Sequence, residues 1–275
     1  MAQPLPLWPH LPVVLQRFRA SEWCALLLDY DGTLTPLVTD PKAAYLSAAM
    51  QQILTTLVDH PRYQVGIVSG RALEDLQGRL GGLALYMAGN HGLEITSPEV
   101  KYSHPEAVQL QPQLRALAQD LQQHLELIPG AWVEDKGLTL TVHLREVPTA
   151  YVPLVQRLVL RLLRPALEAR TLARRTGKAV LEVRPAIKWD KGGALRWIVE
   201  RMCRSRPVAG MFLVYIGDDE TDEDAFQALG TAGLGILVGC DRLSSAAHYY
   251  IESVEQTTQF LAMLSGLTWP AQSCT

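Results

Sequence analysis

Two aspartates one residue apart, Asp29 and Asp31, close the apolar run of ALLLDYDGTLTPLV, residues 25–38. Two further apolar runs end in reactive residues. YQVGIVSGR stops at Ser69-Gly70-Arg71, and MFLVYIGDDETDEDAF carries Gly217-Asp218-Asp219 with Asp222 behind it. If the chain brings these ends together, four or five carboxylates gather near a hydroxyl. Like charges so close raise one another's pKa values unless a cation neutralises them. Hard oxygen ligands in small number suit Mg²⁺, which keeps several waters and needs one or two carboxylates. Taken singly, each motif also reads as a turn with a helix cap, Asp219 and Thr221 capping DEDAFQAL. A calcium loop is excluded, because its sixth position requires Gly and here Leu34 and Glu223 stand there. His91 and His143 have no matching Cys or His spacing for zinc.

Three strand ends meet on one edge only in a parallel sheet, where ligands bind beyond the carboxyl ends of the strands. The chain supplies such strands. CALLLDY, YQVGIVSG, LALYMAGN, MFLVYIGDD, LGILVG and AHYYIES are nearly continuous in apolar residues, as strands covered on both faces must be. Helical patterns alternate with them, among them AAYLSAAMQQILTTLVDH and DEDAFQALG, with Gly230 at a C-cap. The expected fold is α/β, with a Rossmann-like doubly wound parallel core.

From about Pro105 to Pro185 the order changes to helix, hairpin, helix, hairpin. EAVQLQPQLRALAQDLQQHLEL and TAYVPLVQRLVLRLLRPALEA are amphipathic. AWVEDKGLTLTVHLRE pairs two strands around Lys136-Gly137, and LARRTGKAVLEVRP turns at Gly177. Strands joined by short turns are antiparallel. An inserted α+β cap over residues 105–185 is therefore expected, within a core of residues 1–104 and 186–275.

The 275 residues, 48% hydrophobic, suffice for a sizeable core. A net charge of −3 gives no basic surface for nucleic acid. No run of eighteen apolar residues points to a membrane span. The first twenty residues hold four prolines and lack the basic start and cleavage site of a signal peptide. The four cysteines stand far apart, with no CxxC pair. A reduced, soluble, cytoplasmic protein is expected.

The succession DxDGT, SGR, a lysine, then GDDxxD resembles the haloacid dehalogenase superfamily of phosphatases. LLLDYDGTLTPLV, VGIVSGR, AGNHGLEI, WVEDKGLTLTVHLR, VLEVRP, DKGGAL and IGDDETDEDAF, spanning residues 25–226, further resemble the trehalose-6-phosphate phosphatase family. The family commonly places Asn before its Lys-Gly; here Asp190 precedes Lys191, and Lys188 lies close by as a second candidate.

The resemblance implies a phosphoric monoester hydrolase, releasing trehalose and phosphate from trehalose 6-phosphate with Mg²⁺. It makes Asp29 the nucleophile that forms an aspartyl-phosphate. Asp31 is then the acid and base, Ser69 and Lys191 bind the phosphate, and Asp29, the Asp31 carbonyl, Asp218 and Asp222 form the metal site. It also assigns substrate contacts to Arg71, Asn90, His91, Gly92, Glu134, Lys136, Glu182 and Arg184. A functional link to a separate trehalose-6-phosphate synthase is implied too. Three alternatives stay open: another sugar phosphate (glucosylglycerol or sucrose phosphate), transfer to a second sugar, and a non-catalytic sugar-phosphate sensor.

Overall fold

The computed structural model describes residues 3–266 except 39, 178, 231–232 and 241–243. It divides into two compact units, residues 1–101 with 189–275, and residues 102–188.

The first unit begins with β1 (Leu5–Pro6) and α1 (Leu7–Ala20). It continues through β2 (Trp23–Leu28), α2 (Ala48–Asp59), β3 (Tyr63–Val68), α3 (Leu73–Leu80), β4 (Tyr86–Gly89) and β5 (Glu94–Thr96). β6 (Lys101–Ser103) leads into the second unit, which holds α4 (Pro105–Leu125), β7 (Trp132–Asp135), β8 (Leu140–His143), α5 (Val152–Glu168), β9 (Leu172–Gly177) and β10 (Val180–Pro185). The chain then returns through α6 (Lys191–Ser205), β11 (Met211–Gly217), α7 (Asp222–Leu229), β12 (Leu234–Val238), β13 (Tyr249–Ile251) and α8 (Val254–Ser265).

Nine strands form one sheet in the order β1-β13-β12-β11-β2-β3-β4-β5-β6. The pairings from β1 to β4 are all parallel, and β5 turns back antiparallel on β4. β2 lies between β11 and β3, so the three strands that end in reactive residues are immediate neighbours. Alternation along β2 sorts its side chains. Cys24, Leu26 and Leu28 join a core with Phe18 of α1, Met50 and Leu54 of α2, Leu76 of α3 and Phe260 of α8. The opposite face meets α6 and α7, where Tyr215 of β11 packs edge-on against Phe226 at 5.5 Å. Asp29 continues the odd-numbered series and therefore faces α6 and α7. Helices on both faces of a parallel sheet make the doubly wound α/β core.

The second unit is a four-stranded antiparallel sheet, β7-β8-β10-β9, with α4 and α5 on one face. Val133, Leu140, Val142, Leu181 and Val183 share a separate core with Leu114, Leu121, Val159 and Leu163 of these helices. Gly137 turns the first hairpin at φ +81°, which favours glycine. In the second hairpin Gly177 is not the turn itself but the last residue of β9, paired with Val180. α1 forms despite the prolines: Pro9 falls in its first turn, where amides lack partners, and Pro12, inside the helix, forgoes one backbone bond while Leu7, Val14 and Phe18 bury one stripe. α2 begins later than its periodic pattern suggests, since Ser47 caps it by accepting from the Met50 amide. Among the described residues no helix is long and apolar enough to cross a membrane.

Candidate active site

The β2 end carries Asp29, which is 4% exposed. The chain turns at once: the Leu34 and Thr35 amides donate to the Tyr30 carbonyl, and the Gly32 amide donates to the Thr35 carbonyl. Gly32 sits at φ +77°, and a Cβ there would lie 2.2 Å from Oδ2 of Asp218. Only glycine lets the Asp218 carboxylate pack down onto this turn. Thr33 Oγ1 is buried beside it with no hydrogen-bond partner.

Lys191 opens α6, and the helix is capped by Asp190, whose Oδ1 accepts from the Gly193 amide at 2.8 Å. Asp caps a helix as well as Asn does, so the departure at position 190 leaves the local structure intact. Lys191 is no solvated helix-start lysine. It is 2% exposed, and Nζ donates to Asp29 Oδ1 at 2.8 Å and Asp222 Oδ1 at 2.7 Å. Lys188, by contrast, is exposed.

Asp222, the first residue of α7, is fully buried. Its Oδ1 also accepts from the Tyr215 hydroxyl at 2.5 Å, and its Oδ2 accepts from the Asp218 and Asp219 amides at 3.0 and 2.9 Å. Both oxygens are thus committed to protein donors, and Asp222 shapes the loop instead of offering a free ligand atom. Asp219 closes the same loop, its Oδ1 accepting from the Thr221 amide and hydroxyl. Burial, foremost, pushes Asp29 well above the usual carboxylate range; Lys191 opposes this, and Asp222, Asp218 and Asp219 add to it. Lys191 is desolvated as well, yet the Asp222 and Asp29 charges carry it above the usual lysine range. A buried ammonium between two carboxylates stays charged.

Oxygens of Asp29, Asp218 and Asp222 lie within 4.8 Å of one another. With Asp222 spent on anchoring, Asp29 and Asp218 are the carboxylates that fit a cation. The donor set is hard oxygen without sulphur or imidazole, which fits a small divalent ion.

Ser69 directly follows β3, is 1% exposed, and accepts from the Arg71 amide at 3.2 Å. Arg71 is turned inward. Its Nε and Nη2 donate to Asp31 at 2.7 and 2.6 Å, Nη1 to Asp75 at 2.7 Å, and Nη2 also to the Pro41 carbonyl at 2.8 Å. Such a fork-on-fork pair fixes Asp31 in place. Asn90 and His91 hold positive φ angles of 50° and 56°, and the Asn90 side-chain amide donates to Glu94 Oε2 at 2.9 Å. Gly92 serves packing: a Cβ would lie 2.2 Å from the Ala194 Cβ of α6, and its carbonyl accepts from the Trp189 indole at 2.8 Å.

In the second unit, register lines up Glu134, Thr141 and Glu182 across β7, β8 and β10. All three stand on the face opposite the helices. Lys136 Nζ approaches Glu134 Oε2 at 4.0 Å, and Arg184 follows Glu182 on the same face, opposite Ala173. The structure thus collects Asp29, Asp218, Asp222 and Lys191 in one place, joins Arg71 to Asp31, and groups Glu134, Lys136, Glu182 and Arg184 on one sheet face. Sequence reasoning missed Tyr215, since a tyrosine inside an apolar strand signals nothing by itself. It also missed the Arg71–Asp31 pair, which depends on two strands being adjacent.

The trehalose-phosphatase family model matches residues 27–255. A trehalose-phosphate phosphatase of Mycobacterium marinum is 36% identical over 246 residues, covering 88% of this chain and 61% of that protein. The chain thus spans about three fifths of the length of the curated relatives it matches. Among solved structures, the C-terminal domain of Candida albicans trehalose-6-phosphate phosphatase is 25% identical with a TM-score of 0.78, covering 97% of this chain and 99% of that one. The fold extends to a haloacid dehalogenase-like hydrolase of Bacteroides thetaiotaomicron, 17% identical with a TM-score of 0.58 over 88% of this chain and 99% of that one. With the family's span covering every strand end that bears a reactive residue, the chain belongs to the trehalose-phosphatase family.

Proposed function

We propose that the protein is a Mg²⁺-dependent phosphatase that hydrolyses trehalose 6-phosphate to trehalose and phosphate. The observation that carries this reading is the buried ammonium of Lys191, bonded both to Asp29 at the end of β2 and to Asp222 at the start of α7, which follows the neighbouring strand β11. Lys191 holds Oδ1 of Asp29, which leaves Oδ2 as the attacking atom. Attack forms an acyl phosphate and breaks the bond to the sugar oxygen, splitting one hard hydrolysis into two easier steps. Asp31, protonated and released from the Arg71 fork when substrate binds, gives its proton to the departing sugar oxygen. It then takes a proton from the water that attacks phosphorus and returns Asp29 as a free carboxylate. Ser69 donates to the phosphoryl oxygens, and Lys191 offsets the charge that grows on them. Asp29, the Asp31 carbonyl and Asp218 would hold Mg²⁺, which would offset further negative charge on the phosphoryl group.

The sugar is read by Glu134, Lys136, Glu182 and Arg184, whose charges suit hydrogen bonding to many hydroxyls. Asn90, His91 and Gly92 complete the substrate contacts through the backbone bend they impose. Phosphate release should be measured across trehalose 6-phosphate, sucrose phosphate, glucosylglycerol phosphate and glucose 6-phosphate, with Mg²⁺ and after exhaustive chelation. The reading expects the highest kcat/KM for trehalose 6-phosphate and loss of turnover on chelation. Preference for another ester, or full activity without metal, would overturn it.

A further inference from the structure

The polar face of the second unit's sheet contains a buried histidine that the proposed chemistry does not use. His143 ends β8 and is 8% exposed, yet it lies on the face turned away from α4 and α5. Its neighbours along β8, Leu140 and Val142, are the ones that join the apolar core. What covers it is Trp132. Register sets the two residues opposite each other, and their rings stack at 3.8 Å with 5° between planes. Trp132 itself keeps 36% exposure. From under the indole, His143 Nε2 reaches diagonally across the ladder to Glu134 Oε2 at 2.9 Å.

Glutamate is long, and on an edge strand such as β7 it has rotamer freedom that ligand binding would have to remove. Fixing an acceptor before the ligand arrives lowers that cost. Here Nε2–H donates to one carboxylate oxygen, the parallel indole restricts rotation of the imidazole, and Lys136 lies 4.0 Å from the same oxygen. Glu134 still keeps 36% of its side chain exposed, so the constraint orients the carboxylate without covering it. A donor that served only to satisfy a core group would not be placed on the outer face beneath a half-open tryptophan.

We propose that His143 is a positioning residue that fixes Glu134 as a hydrogen-bond acceptor for sugar hydroxyls, with Trp132 holding the imidazole in register. This deepens the proposed reading of the sugar site and rests on it.

The test uses the full chain with Mg²⁺ and compares kcat and KM for trehalose 6-phosphate and p-nitrophenyl phosphate. The variants are His143→Leu, His143→Asn, His143→Gln and Trp132→Ala. Glutamine places an amide donor where Nε2 was; asparagine places it where Nδ1 was, and leucine has none. The ratio of kcat/KM between the sugar ester and the aryl ester should fall ~10- to 100-fold in the Leu and Asn variants, the range for losing a hydrogen bond to a charged group. The loss should fall mainly on KM, return to within about threefold of wild type in the Gln variant, and be intermediate in Trp132→Ala. An unchanged ratio in the Leu and Asn variants would overturn the proposal, as would an equal fall in Gln. Should the Leu variant fail to fold, the comparison of Asn with Gln decides by itself. Wild type that cleaves the aryl ester but no sugar phosphate would instead defeat the functional reading on which the proposal stands.

Discussion

Lys191 binds two carboxylates at once and is only 2% exposed. Removing one partner of such a pair leaves a buried charge unmatched, which is why a lysine there is informative in a way that an exposed one is not. Arg71 plays the corresponding part on the β3 side, and its second anchor, Asp75, can be tested by pH. Burial raises the Asp75 carboxyl, but hydrogen bonds from Arg79 and Arg71 outweigh it and hold the group below its ordinary value. A depressed folded pKa means stability that is present above the unfolded value of about 4 and is lost as pH falls through the folded value. Asp75→Asn should therefore lower Tm at pH 7, with the gap to wild type closing as pH drops below about 4. A gap of constant size across pH 3–7 would show that charge is not the cause. Of these residues, Asp29, Asp31, Ser69 and Arg71 were legible from type and spacing at the ends of apolar strands, whereas Lys191 was marked only by the family resemblance, with Lys188 as the other candidate. The inward turn of Arg71 and the Tyr215 bond to Asp222 were hidden, since each joins residues on different elements.

At the scale of elements, glycine decides how closely α6 and α7 approach. A Cβ on Gly192 would lie 2.3 Å from the backbone carbonyl oxygen of Asp224, so α6 reaches this depth only because the position is bare. Gly192→Ala must push the helices apart, a change that costs about 1–3 kcal/mol when a packed contact is overfilled. The urea midpoint should fall with the m-value unchanged. Because Lys191 is the adjacent residue, kcat should fall as well. An unaltered midpoint would mean that the contact yields without strain. The core strands were readable because continuous apolar runs bounded by Gly and Asp admit little else. α1 was not, since four prolines in the first twelve residues argue against a helix, and one of them, Pro12, does stand inside it. The helix patterns of α4 and α5 were plain, but the face of the sheet they cover emerged only from the register of β7, β8 and β10.

For the whole molecule, the proposed reading separates two tasks between chemically different surfaces. On that reading Asp29, Asp218 and Lys191 recognise only what every phosphate ester shares, so discrimination among sugars falls to Glu134, Lys136, Glu182 and Arg184. A site built to pair hydroxyls penalises substrates that lack them. Glu182→Ala should cut kcat/KM for trehalose 6-phosphate ~10- to 1,000-fold, about 1–4 kcal/mol of transition-state binding, with a much smaller loss on p-nitrophenyl phosphate. Equal losses on the two esters would assign Glu182 to the fold. The sugar-facing residues were the least readable in the sequence, because charged residues in hairpins are usually solvated; only the family resemblance marked them out. The claim on which the whole account turns is that Asp29 itself is phosphorylated. Rapid acid quench during turnover of trehalose 6-phosphate labelled at phosphorus, followed by peptide mapping, tests it directly. The account predicts an acid-stable, base-labile label on the peptide holding Asp29, absent from a folded Asp29→Asn variant that releases no phosphate. Phosphate release by that variant at a rate near wild type, or label on any other residue, would contradict it.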